Sequence, residues 1–412
     1  MKNNHDSDQI TPIGITDWRN EKKSFGIKDN DRLGHIYVIG KTGVGKTTLL
    51  ENMAISDIQK GKGCAIIDPH GDISDDILNY VPKHRIHDVI YFNAADTDLP
   101  IAYNPLFGIN VEYHHLVASG LISTFKKIWM DSWGPRLEYI LKWCLITLLE
   151  YGNGTLLDIQ KLLTIQEYRE LILSQLSNND TLSFWKNEFE KFSTPMRNEI
   201  ISPILNKMGI FLTCKPLKCI LEQKKRSFSM QEIIEERKIF IANLSKGLIG
   251  EDATAILGSM LISSFQLATL HRARMNAHDR KPFFLFIDEA QTFLTSSVAS
   301  ILSESRKYGL SIFIAHQYIN QLSETIRSAV FGNVGTMISF RVGAEDARYL
   351  VHEFAPLFSE KDFVNLPKHS MYIKLMIDGS TSKPFSATTK KVERSNVSYK
   401  ENVVNASRNK YG

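Results

Sequence analysis

Cysteine is scarce: four residues in 412, at Cys64, Cys144, Cys214 and Cys219. Their spacing pairs none of them. That excludes a disulfide-stapled secreted scaffold and leaves reduced thiols in a cytosolic protein. Cys214 and Cys219 in CKPLKC resemble half a metal site, but no second Cys/His pair of matching spacing completes it. Long apolar runs are missing too. The stretch YILKWCLITLLEYG is broken by Lys142 and is too short to span a bilayer, and the polar start MKNNHDSDQI is not a signal peptide. The expectation is a cytoplasmic chain with no transmembrane segment of its own, reaching the inner membrane only through a partner. Excess charge is small, +4, too little to mark a nucleic-acid binder by itself, although a ring of copies can concentrate a basic field in one channel. Internal repeats are absent. What remains, 43% hydrophobic and 23% charged residues, is the composition of an ordinary globular chain, long enough for one large core and an inserted domain.

Apolar strands and helices then alternate along most of the chain. After a polar lead-in over residues 1–33 come HIYVIG, a helix over KTTLLENMAISDIQK, and the strands GCAIID and DVIYFN. From Asn104-Pro105 to about residue 230 the periodicity is helical, and an all-α insertion over 105–230 is expected. Alternation resumes with KIFIANL, FFLFIDEA, LSIFIAHQ and GTMISFRV, each followed by a helical pattern, and closes on a hairpin of MYIKLMIDG with KPFSATTKKV. Buried strands separated by helices imply an α/β fold with a mostly parallel twisted sheet covered on both faces. The nucleotide-binding domain is assigned to 34–104 and 231–390, with a flexible polar tail over 391–412.

The segment GKTGVGKTT places Gly40, Lys41, Thr42, Gly43, Val44, Gly45, Lys46, Thr47 and Thr48 between a strand and a helix. The glycines let successive N–H groups turn toward phosphate oxygens, and the helix start adds positive potential. Lys46 is expected on the β- and γ-phosphates, and the Thr47 hydroxyl on Mg²⁺. FFLFIDEA puts Asp288 and Glu289 at the end of a buried strand. Asp288 would hold Mg²⁺, and Glu289 would act as general base on the attacking water. Gln317 ends the LSIFIAHQ strand, where it can bond both the γ-phosphate and that water. No [NT]-K-x-D base-reading motif occurs, so ATP is the expected nucleotide. Arg306 in SESRKYGL is a candidate to reach a neighbouring subunit's γ-phosphate, with Arg341 in ISFRVGAEDA as its rival.

Taken together, HIYVIGKTGVGKTTLL, IIDPHGD, WGPRLEYIL, FLFIDEAQTF and SRKYGLSIFIAHQ resemble the FtsK-HerA superfamily of RecA-like motor ATPases. Within it the chain is most similar to the cytoplasmic part of conjugative coupling proteins of the TraD/TraG type. The resemblance covers most of residues 10–390. It implies a RecA-like P-loop fold and a hexameric ring that moves DNA through a central channel. It also places Arg306 where the family's inter-subunit arginine is found. Two departures stand out. Coupling proteins usually begin with a transmembrane hairpin and HerA proteins with a small β-barrel, and the residues before Gly40 hold neither. In DPHGD, Asp68, His70 and Asp72 suggest either a metal cluster or a strand-to-helix turn set by Pro69 and Gly71; the turn is the simpler reading.

Basic residues that could meet DNA backbone are Lys126, Lys127, Arg136 and the run Lys224 to Arg226. Lys390, Lys391 and Arg394 in the tail read as solubilising. Three functions fit. One is an ATP-driven DNA translocase for conjugation or type IV secretion. The second is a secretion ATPase that powers protein transport or pilus assembly without gripping DNA. The third is a nucleotide-gated platform that recruits a relaxase or other cargo.

Overall fold

A computed structural model of the chain describes residues 10–17, 21–390 and 397–412. Its contacts separate two compact units. The first comprises Met1–Phe92, Met230–Asn243 and Ala268–Asn409; the second comprises Asn93–Ser229, Leu244–Leu267 and Lys410–Gly412.

The first unit is built on an eleven-stranded sheet. Among the described residues thirteen strands occur: β1 (Ile10–Thr16), β2 (Ser24–Lys28), β3 (Ile36–Ile39), β4 (Gly63–Asp68), β5 (Val89–Asn93), β6 (Ile239–Asn243), β7 (Phe283–Ile287), β8 (Leu310–His316), β9 (Thr336–Ser339), β10 (Ser370–Lys374), β11 (Met376–Ile377), β12 (Ser380–Thr381) and β13 (Phe385–Thr389). The sheet runs β2-β1-β13-β10-β9-β3-β8-β7-β4-β6-β5, and β11 and β12 form a small separate hairpin. Strand β3 pairs in parallel with β8 and β9, and β4 in parallel with β6 and β7. Every residue of β3, β4, β6, β7 and β8 is buried. Their unbroken apolar sequences follow from that, because helices cover both faces of a parallel sheet. By contrast β10 alternates buried and half-buried residues in its antiparallel ladders with β9 and β13.

The described part of the lead-in, 10–17 and 21–33, belongs to this core. Strand β1 pairs antiparallel with β13, so the start and the late part of the chain share one sheet edge. Arg32 donates to both carboxylate oxygens of Asp57 at 2.8 and 2.9 Å and lies 3.6 Å above the Phe284 ring. Lys62 pairs with Asp29 at 2.5 Å. Leu49, Leu50, Met53 and Ile58 on the helix Lys46–Gln59 share the hydrophobic core with Ile66, Ile241 and Phe286. Burying each such side chain contributes about 1.5–3 kcal/mol.

The expected flexible tail is corrected in part. Residues 391–396, with Lys391 and Arg394, lie outside the described residues, but Lys400–Tyr411 form a helix. Val403 is fully buried in the first unit's core, and the Ser407 hydroxyl accepts from the Tyr91 amide at 2.9 Å. Tyr91 sits on β5, the sheet's outer strand. The helix thus satisfies an edge donor that polar composition alone gave no reason to expect.

The second unit is helical. Its main elements are His114–Ile128, Pro135–Tyr151, Asp158–Thr164, Gln166–Leu173, Thr194–Thr213 and Lys215–Leu221. Aromatic rings fill its interior: Phe125 meets Phe211 edge-on at 5.8 Å, and Trp143 stacks on Phe184 at 4.9 Å. Trp185 is fully buried and donates its indole N–H to Thr147. This unit begins at Asn93, before the expected boundary at 105, and takes in 244–267 as well. The Tyr103 hydroxyl shows why: it donates to the Met260 carbonyl at 3.0 Å, a tie between the two segments. The stretch Glu251–Arg274 is long and apolar enough to cross a membrane, and 67% of its apolar window is buried in the protein.

Candidate active site

In the parallel strands, β3, β4, β7 and β8 all end at the same sheet edge. Four sequence-distant segments therefore converge there, and those after β3, β7 and β8 carry expected site residues. The loop after β3 bends at Gly43 (φ 74°) and Gly45 (φ 126°), a backbone region that residues with a Cβ rarely occupy. A Cβ on Gly40 would lie 2.6 Å from Phe340, and one on Gly45 3.1 Å from both His369 and Phe340. The loop is pinned by main-chain bonds. Gly40 N–H donates to the His316 carbonyl, Lys41 N–H to the Arg341 carbonyl, and His369 N–H to the Val44 carbonyl. Gly45 then opens the helix Lys46–Gln59 with no side-chain cap, so the first-turn amides face the cradle.

Lys46 is buried and folds back over this loop, donating to the Gly40 and Lys41 carbonyls at 2.6 and 3.0 Å. Burial lowers its pKa, and the carboxylates of Glu289 and Asp288 pull the other way. Asp288 is only 5% exposed, and its Oδ1 has no hydrogen-bond partner. Burial pushes its pKa up to about 7, with Glu289 and Asp68 adding and Lys46 opposing. Glu51, on the P-loop helix, is likewise raised to about 7 by burial and then by Asp76, Asp288 and Asp68. One buried lysine thus faces more carboxylate than it can neutralise. An orphaned buried carboxylate oxygen in such a field suits a hard divalent cation, which binds oxygen. The residues present fit a polyphosphate with its metal.

Glu289 sits in the left-handed region (φ 45°), the strained turn that ends β7. Its Oε1 accepts from Gln317 Nε2 at 2.9 Å, and its Oε2 from Gln291 Nε2 at 2.5 Å. The structure therefore brings Gln317, Glu289, Asp288, Lys46 and residues 40–48 together. Thr47 is exposed at the mouth of the loop and Thr48 half-buried. A cleft of about 630 Å³ opens beside them, lined by Lys41, Thr42, Gln317, Tyr318, Asn320 and residues 343–346.

Arg306 is not among them. It lies exposed before the start of β8, whereas Gln317 follows its end. The seven residues of β8 separate the two by roughly 20 Å. Arg341 sits on the cradle's side, half-buried just past β9. Asp68 accepts from the amides of His70 and Ser74 at 2.9 and 2.8 Å, so its carboxylate organises the turn into the next helix.

Sequence reasoning missed His316 and Tyr37. Both are fully buried, with His316 Nε2 and the Tyr37 hydroxyl 2.7 Å apart, bridging β8 to β3. His316 is a node. Its carbonyl holds Gly40, its ring holds Tyr37, and its neighbour Gln317 holds Glu289. Burial lowers its pKa to about 4, so the ring is neutral near pH 7. The signal was available: a polar pair in two otherwise apolar strands needs a partner.

Comparison with known proteins bears on the family and the fold. The profile of the type IV secretion-system coupling protein DNA-binding domain matches residues 24–376. Among solved structures, the unbound bacterial conjugative coupling protein TrwBΔN70 is similar at a TM-score of 0.66 and 15% identity, over 96% of this chain and 91% of that one. Plasmid coupling protein TrwB in complex with ADP and Mg²⁺ is similar at 0.64 and 16%, over 89% and 88%. VirB4 of Thermoanaerobacter pseudethanolicus is similar at 0.63 and 14%, over 96% and 99%. At these identities the likeness is one of fold, a RecA-like P-loop NTPase core with a helical unit. Among curated protein sequences, none matches.

Proposed function

The chain belongs to the family defined by the DNA-binding domain of type IV secretion-system coupling proteins, and from that premise we propose that it is an ATP-driven DNA translocase. Its setting would be conjugative or type IV secretion-like DNA transfer, on the cytoplasmic side, with a relaxase or a membrane-embedded secretion component as partner. The observation that carries the reading is the 2.9 Å bond from Gln317 to Glu289, beside Lys46 and the unpartnered Asp288 oxygen. A base and its orienting amide are held together where a phosphate cradle begins.

The first-turn amides and Lys46 would bind the β- and γ-phosphates, Lys46 exchanging two carbonyl partners for phosphate oxygens. Thr47 and Asp288 would hold Mg²⁺, whose chemistry is to neutralise charge between those phosphates. Glu289 would accept the proton of the attacking water while Gln317 orients that water. That TrwB was obtained with ADP and Mg²⁺ supports this assignment. Arg306, about 20 Å away at the sheet's other edge, cannot serve its own site. A head-to-tail contact would present it to the next subunit, and such contacts close into rings, here a hexamer.

The fold shared with VirB4 favours a second reading, a secretion ATPase indifferent to DNA. ATP turnover by the purified chain, with and without single- and double-stranded DNA, separates the two. Stimulation several-fold, weakening with salt, is expected for the translocase. Turnover unmoved by DNA but raised by a secretion partner would replace it. Glu289→Gln is expected to abolish turnover and keep ATP binding. Cargo transfer surviving that change would point instead to a recruitment platform.

A further inference from the structure

The helical unit carries a cleft of its own, about 530 Å³, where the helix His114–Ile128 ends and the helix Pro135–Tyr151 begins. Its working surface is Lys126, Met130, Trp133, Glu138, Tyr139 and Lys142. Two aromatic rings are held in fixed poses there. The Trp133 indole N–H donates to Glu138 Oε2 at 2.6 Å. Tyr139, 44% exposed, donates its hydroxyl to Glu188 at 2.9 Å, and its ring meets Trp143 and Phe184 edge-on. Met130, 73% exposed, adds a polarisable apolar edge.

Lys126 and Lys142 line the cleft beside the rings, where Glu138 and Glu188 are the acids bonded to those rings. Glu138, the cleft's own acid, is already engaged: the Trp133 N–H and Lys126 Nζ both reach its Oε2, at 2.6 and 3.2 Å. Lys142 lies one helical turn beyond Glu138 and Tyr139 on the same face, and the exposed Arg136 one turn before Tyr139. An apolar peptide would leave these cations unmatched. A flexible polyanion with flat rings matches both features.

We propose that this cleft binds single-stranded DNA, with bases stacking on Trp133 and Tyr139 and phosphates meeting Lys142 and Arg136. This rests on the reading of DNA as cargo and adds where, and in which form, the chain grips it. Every base offers a ring face, so stacking gives affinity without sequence preference. A duplex keeps those faces inside its own stack and can use only the cations. The site therefore discriminates single strands from duplex by chemistry that a basic patch alone lacks.

The test is fluorescence anisotropy of the full chain with a labelled oligothymidylate and with a labelled duplex. Trp133→Ala and Tyr139→Ala are each expected to weaken single-strand binding about tenfold. Duplex binding should stay within about twofold, and Trp133→Phe should recover most of the loss. Lys142→Gln should lower the slope of log affinity against log salt by about 0.7 on single strands. Unchanged melting temperatures exclude misfolding as the cause. If the unaltered chain binds oligothymidylate and neither aromatic variant weakens it, the cleft is not the site, and the translocase reading stands. Equal losses on duplex and single strand also overturn the stacking proposal. If the unaltered chain binds no DNA at all, the translocase reading falls and the cleft assignment with it.

Discussion

The two edges of the parallel sheet use polar residues in opposite ways. At the edge where β3, β7 and β8 end, charge is left uncompensated: Asp288 Oδ1 has no partner, and Lys46 bonds main-chain carbonyls rather than a carboxylate. At the edge where β3 and β8 begin, buried polar side chains are bonded mostly to the protein, although Arg272 Nη2 has no partner. Both nitrogens of His35 are engaged, Nδ1 accepting from Ile312 N–H and Nε2 at 3.2 Å from the Leu302 carbonyl. Buried Arg272 donates to the carbonyls of Lys281 and Tyr308 and to Glu235. Unspent charge marks the place built for a ligand, and spent charge marks the place built to stay folded. Arg306 breaks the pattern: it is an exposed cation at the edge that has no chemistry of its own.

Arg306→Ala is the largest predicted effect and the sharpest attack on that contrast. Turnover should fall roughly a thousandfold, about 4 kcal/mol, with nucleotide affinity unchanged. Mixing Arg306→Ala chains with Lys46→Ala chains should restore part of the activity, because each supplies what the other lacks. Mixing that restores nothing would place the arginine's role within its own chain and remove the reason for a head-to-tail ring. Next is Gln317→Ala at the opposite edge. Its kcat should drop about a hundredfold, near 3 kcal/mol, while KM moves little. A rise in KM alone would mean Gln317 merely holds nucleotide.

The charged edge was legible because its residues travel in short local motifs. Gly43, Gly45 and Lys46 announce a phosphate cradle within a few positions, and Asp288-Glu289 and Gln317 each end an apolar strand. Pairing across the chain was not legible. Tyr37 and His316 stand 279 residues apart, and either alone reads as a tolerated polar residue in a strand. The tail helix was hidden for a different reason. It is polar almost throughout and is fixed by a few contacts, Val403 in the core and Ser407 on the β5 edge. The boundary of the helical unit escaped because Glu251–His271 is apolar all round, and periodicity alone does not say what covers it.

The satisfied edge predicts a pH dependence. Burial, with a smaller contribution from Arg306, lowers the His35 pKa to about 4 from an ordinary 6.5. Between those values the unfolded chain takes up a proton that the folded chain refuses. The stability that neutral His35 carries is therefore complete above pH 6.5 and is lost as pH falls toward 4. From pH 7 to pH 5 the loss should be about 2 kcal/mol for this residue. His35→Asn, which tolerates the same positive φ, should flatten the denaturation profile over that range. An equally steep profile in the variant would assign the acid sensitivity elsewhere, with buried His316 the next group to replace.

The smallest predicted effect tests whether the two edges are joined through the sheet. Tyr37 lies in the middle of β3, and its hydroxyl is 2.7 Å from the ring of His316. Tyr37→Phe keeps the ring and its volume and removes only that bond. Leaving His316 with an unmet polar atom should cost about 1–3 kcal/mol of stability. If the node also positions Gln317 against Glu289, kcat should fall about tenfold with KM unchanged, about 1.4 kcal/mol in the transition state. Combining Tyr37→Phe with Gln317→Ala discriminates the two roles. Once Gln317 is gone, a hydroxyl that acts only through it has nothing left to position, so the double variant should turn over no more slowly than Gln317→Ala. Additive losses would show that Tyr37 reaches the chemistry by another route, through the P-loop strand itself, and the division between a folded edge and a reactive edge would then run inside β3.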